Sequence, residues 1–72
     1  MSADKMFEKL GYEKIQDDED RIYYVTYKGV SMGSRGIEFR NKQKKVVPYN
    51  RVQIEMELLK AINQKCKELG WL

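Results

Sequence analysis

Seventy-two residues give room for one domain, 1–72, and for a small core only. Fourteen basic and eleven acidic side chains are mixed along a chain that is 42% hydrophobic, a profile that folds rather than one that stays disordered. The chain has no histidine, which removes the commonest general base and transition-metal ligand, and its single cysteine, Cys66, rules out an internal disulfide framework. A reducing, cytoplasmic setting is expected, because no run resembles a signal peptide or approaches the ~18 apolar residues of a membrane span.

Ser2 or Asp4 is placed to cap a short helix containing Met6, Phe7 and Leu10, with Gly11 as its stop. Residues 13–16 then read as a strand, followed by the acidic turn Asp17-Asp18-Glu19-Asp20. That turn lacks the spacing, central glycine and distal glutamate of a calcium loop, and its solvated carboxylates are expected to keep ordinary pKa values. Residues 21–28 carry Ile22, Tyr23, Tyr24, Val25, Thr26 and Tyr27, the β-branched and aromatic content of a strand. With a two-residue period, Tyr23, Val25 and Tyr27 fall on one side and Ile22, Tyr24 and Thr26 on the other.

The stretch 29–36 is glycine-rich but lacks the Gly-Lys-Ser/Thr ending of a phosphate loop, and it reads as a hairpin connection. Ile37 and Phe39 alternate with Glu38 and Arg40 as a half-buried strand. The turn Asn41-Lys42-Gln43 leads to a last strand with Val46, Val47 and Tyr49, which Pro48 marks as an edge. From Met56 the residues Leu59, Ile62, Cys66 and Leu69 recur at three- and four-residue spacing, with Leu58 and Ala61 widening the stripe. Gly70 stops this helix as Gly11 stops the first, and Trp71 follows as Tyr12 does. Cys66 lies on the apolar stripe and is expected to be a buried, unreactive thiol.

The expected fold is α+β: an antiparallel meander of three to four strands, a short N-terminal helix, and a C-terminal amphipathic helix packed on one face. Two layers hide one sheet face, so Tyr23, Val25 and Tyr27 form a candidate partner surface. The segment 35–51 holds Arg35, Arg40, Lys42, Lys44, Lys45 and Arg51 against Glu38 alone, a candidate nucleic-acid contact without the signature of any dedicated binding module. No catalytic residue, metal site or cofactor site is expected.

Three stretches bear a resemblance: Phe7-Glu8-Lys9-Leu10-Gly11-Tyr12 before the acidic turn, Ile37-Glu38-Phe39 before the lysine-rich turn, and residues 54–62 with their ending Lys67-Glu68-Leu69-Gly70-Trp71. In these the chain resembles small uncharacterised proteins of phages and prophages of Gram-positive (Firmicute) bacteria. The resemblance implies a mobile-element origin and no particular chemistry. The expected role is a non-enzymatic interaction or regulatory module that meets a host or phage protein as a monomer or weak homodimer, away from the membrane. Weak nucleic-acid binding through segment 35–51 is the alternative.

Overall fold

The structure, a computed structural model, describes residues 1–27 and 34–72. Its elements follow in the order α1 (Ala3–Lys9), β1 (Glu13–Asp17), β2 (Arg21–Thr26), β3 (Arg35–Arg40), β4 (Lys45–Tyr49) and α2 (Met56–Glu68). The glycine-rich connection expected over 29–36 lies outside the described residues except for Ser34, Arg35 and Gly36, and so does Lys28. No described helix is long and apolar enough to cross a membrane.

Seven residues make too short a helix to persist alone, so α1 depends on its ends and its contacts. Ser2 is the N-cap, its hydroxyl accepting from the Lys5 N–H, while Glu68 of α2 accepts the Ala3 N–H at 2.8 Å. Both helices end in the same way. Gly11 at φ 90° lets Tyr12 N–H donate to Phe7 C=O and its own N–H donate to Glu8 C=O. Gly70 at φ 79° does the same for Trp71 onto Cys66 and for itself onto Lys67. These paired bonds are Schellman closures, and each is backed by an aromatic residue: Tyr12 meets Phe7 edge-on at 5.7 Å, and Trp71 reaches Phe39 at 6.2 Å.

The four strands form an antiparallel meander, β1-β2-β3-β4, with short turns between β1 and β2 and between β3 and β4. Pro48 sits in β4, an edge strand, as its missing N–H requires. Between Lys14 and Gln16 the other edge, β1, carries a bulge that leaves Ile15 out of register. Ile22, Tyr24, Ile37 and Phe39 point to one face and meet Ala3 and Phe7 of α1 and Leu58, Ala61, Ile62 and Cys66 of α2 in a single core. Phe7 stacks on Tyr24 at 4.1 Å, and Phe39 meets both rings edge-on.

The buried side of α2 is turned from the stripe read in the sequence. Leu58, Ala61, Ile62, Lys65 and Cys66 are buried, Leu69 is half-buried, and Leu59 is 45% exposed. The spacing of Leu59, Ile62, Cys66 and Leu69 favoured the wrong edge because Lys65, a cation, holds a core position that apolar periodicity does not count. Its stem packs inward and its ammonium reaches Asp4 of α1 at 3.6 Å. Asp4 also accepts from the Tyr24 hydroxyl and from Lys14 at 2.9 Å, tying α1, α2, β1 and β2 together. Partial burial works against the Asp4 charge, but the bonds from Lys14 and Tyr24 outweigh it and hold the carboxyl below its ordinary pKa. Burial, and then the bond to Asp4, push the Tyr24 phenol far above its usual value.

Candidate functional site: the uncovered face of the sheet

Both helices pack on one face, so the alternate side chains of the four strands form a second face that neither α1 nor α2 covers, called here the uncovered face. Cross-strand pairing orders it in rows. Arg21, Arg40 and Lys45 make one row; Tyr23, Glu38 and Val47 the next; Val25, Gly36 and Tyr49 the third. The structure therefore places Tyr23 where the sequence put it, half-buried, with Tyr27 beyond the strand end at 65% exposure. Val25 departs from the candidate surface: it points to the same side as Tyr23 but is buried, only 2% exposed.

The centre of the face is Glu38, 1% exposed on the side away from α1 and α2. Its neighbours cover it. Arg21 donates to Oε2 at 2.6 Å, Arg40 to Oε1 at 2.6 Å, and the Tyr49 hydroxyl to Oε1 at 2.7 Å. Arg40 also donates to the Tyr49 oxygen at 3.0 Å, and Arg21 to Gln16 at 3.1 Å. Burial alone would raise the Glu38 pKa, but the bonds from Tyr49, Arg40 and Arg21 more than offset it and hold the carboxyl below its ordinary value. Beside this network the Tyr23 ring lies across the backbone of Gly36 and meets Tyr49 edge-on at 5.6 Å. A methyl group at position 36 would come within 2.5 Å of that ring, so glycine is needed there for Tyr23 to lie flat.

Segment 35–51 does not form one basic surface. Arg35 pairs with Thr26 on the helix-bearing face and lines a groove with Tyr12, Val52, Glu55 and Leu58. Burial raises the Tyr12 phenol there, with Arg35 and Glu55 acting in opposite senses. Arg40 is committed to Glu38 and Tyr49, and Lys42 pairs with Asp20 at 3.1 Å. Lys44 and Arg51 occupy left-handed turn positions at φ 51° and 59°, and Lys45 is exposed at the start of β4. Alternation along strands and chain reversal at turns send neighbouring charges in different directions.

The acidic turn is also more ordered than expected. Asp18 accepts from Gln16 and from the backbone N–H groups of Arg21 and Asp20, and these bonds lower its pKa, against the expectation of ordinary values throughout the turn. Asn41 donates to Glu19 C=O through its side chain and to Asp20 C=O through its N–H, joining this turn to the β3–β4 turn. Cys66 is buried, and burial pushes its thiol pKa up. Among the described residues no cluster of three or more thiol or carboxylate ligands for a metal ion occurs.

Arg21, Glu38 and Tyr49 were not singled out as members of one site. Two-residue alternation does put Glu38 and Arg40 on one side of β3, but register with Arg21 and Tyr49 is a long-range property that no local spacing carries. Comparison with known proteins returns no matching family model, no similar curated protein and no similar solved structure.

Proposed function

We propose that this chain is a non-enzymatic interaction module, of the kind made in a phage or prophage programme, and that it binds a protein partner through the uncovered face of its sheet. The supporting observation is the contrast between the two faces. One is closed by α1 and α2, while the other presents Tyr23, Tyr49 and Tyr27 beside Arg21, Arg40 and Lys45. Tyrosine and arginine are enriched at protein interfaces because each joins a broad apolar surface to a polar tip. The basic row fits a partner whose contact surface sets acidic side chains around an apolar centre.

One observation favours a second reading. Aromatic rings and guanidinium groups on an open four-stranded sheet are also the materials with which single-stranded nucleic acid is stacked. The engagement of Arg40 and Tyr49 with Glu38, and the dispersal of segment 35–51, favour the protein partner.

The test is capture from bacterial lysate, with and without nuclease, by immobilised protein, comparing the face variants Tyr27→Lys and Val47→Lys with the α2 variants Leu59→Lys and Lys67→Glu. Loss of a captured protein with the face variants alone is expected. Retention by every variant, or abolition by nuclease, would contradict the protein-binding reading.

A further inference from the structure

At one end of the uncovered face a cleft of about 290 Å³ is lined by Asp20, Arg21, Glu38, Arg40, Lys42 and Gln43. We propose that this cleft is a carboxylate-binding subsite that takes an acidic side chain of the protein partner, an inference that rests on the reading of the face as an interface.

Arg21 and Arg40 stand directly opposite one another on neighbouring strands, an arrangement that repels unless an anion lies between them. Glu38, one row further along, supplies that anion to both, and in doing so fixes the two guanidinium groups in place. Each uses only part of its donor set. Arg21 spends Nε on Gln16 and Nη1 on Glu38, and Arg40 spends Nε on Glu38 and Nη2 on Tyr49. Among the described residues, Nη2 of Arg21 and Nη1 of Arg40 have no protein acceptor. Both arginines are about half exposed, at 49% and 41% of their side chains, while the carboxylate that orders them is sealed.

Three cations and two carboxylates line the cleft, and Lys45 lies beside Arg40 in the same row, so the site keeps a positive excess after its internal pairing. A planar carboxylate matches the fork of a guanidinium, and an arginine already held by a buried partner loses little freedom on binding a second one. Tyr23 and Tyr49 adjoin the cleft through Glu38, so an acidic residue seated there brings the partner's neighbouring apolar residues onto the tyrosines.

The test titrates a glutamate decapeptide, and separately a decamer of thymidylate, into the isotope-labelled protein while the arginine Nε–H signals are followed by NMR. The expected result is a saturable shift of Arg21 and Arg40 with the glutamate peptide, without a matching shift of Arg35 or Arg51. Arg21→Gln should weaken peptide binding about tenfold, the loss of one charge-assisted pair, and Lys42→Gln should weaken it less. Equal shifts at all four arginines, unchanged affinity in Arg21→Gln, or tighter binding of the thymidylate decamer would overturn the assignment. The wild-type shift pattern decides the matter if Arg21→Gln does not fold. A partner captured through the tyrosines with no glutamate response would remove the subsite and leave the interface. A glutamate response with no partner on the face would do the reverse.

Discussion

Replacing Glu38 by Gln is the sharpest perturbation of the uncovered face. The change keeps the side-chain shape and removes the charge that two arginines share. Glu38 accepts three hydrogen bonds of 2.6–2.7 Å, two of them from guanidinium groups, and is 1% exposed. Bonds to charged groups are worth about 1.5–3 kcal/mol each, so the gross loss is large. Arg21 and Arg40 are half exposed, however, and recover much of it from water. The repulsion between them, no longer compensated, restores a few tenths of a kcal/mol to the cost. A net destabilisation of about 2 kcal/mol follows. For a domain of this size that lowers Tm by about 8–16 °C. Urea and thermal unfolding followed by circular dichroism at neutral pH give the number directly. The pH dependence adds a second check. The folded-state pKa of Glu38 is depressed, so its contribution is complete above the unfolded-state pKa of about 4.3 and fades as pH falls through the lower folded value. Wild type and Glu38→Gln should therefore converge in acid. A variant within about 0.5 kcal/mol of wild type at neutral pH, the range of an ordinary surface change, would show that the network does not hold the face together.

Gly70→Ala meets no neighbour within 4 Å, so its cost should be the left-handed strain alone, about 1–2 kcal/mol, read from the urea midpoint. Leu58→Ala should cost about 2–5 kcal/mol in the same assay while Leu59→Lys stays within about 0.5 kcal/mol, and equal effects would contradict the observed orientation of α2. Cys66 should react with a thiol reagent far more slowly in native protein than in denaturant, since it is buried and its pKa is raised. Asp4, Glu38 and Glu68 all have depressed pKa values in the folded state, so stability should be flat near neutrality and fall as pH drops below their unfolded-state values near 4, checked by unfolding across the acid range.

The parts of this fold that local chemistry dictates were legible in the sequence. Gly11 with Tyr12 and Gly70 with Trp71 announce two helix ends because only a left-handed residue closes them this way. Alternation separated Tyr24 from Tyr23, and Pro48 marked an edge. What stayed hidden depends on partners distant in the chain. Lys65 reads as a solvent-side cation until Asp4 is brought to it, and that misplaced the stripe by moving Leu59 inward. Glu38 reads as the polar half of a half-buried strand until Arg21 and Tyr49, 17 and 11 residues away, close over it. The charge run 35–51 could be named from the sequence only as a candidate nucleic-acid contact, because sequence distance ignores the turn and the two faces of a sheet, which place Arg35 and Arg40 on opposite sides.

The central claim is that a protein partner meets the face bearing Tyr23, Tyr27 and Tyr49. The most direct measurement is site-specific photo-crosslinking in bacterial cells, with a benzophenone amino acid placed at Tyr27 on the uncovered side or at Leu59 on the exposed side of α2. A discrete, nuclease-resistant protein adduct from position 27, absent from position 59, is the predicted result. An adduct formed only from position 59, or a nuclease-sensitive adduct from position 27, would contradict it.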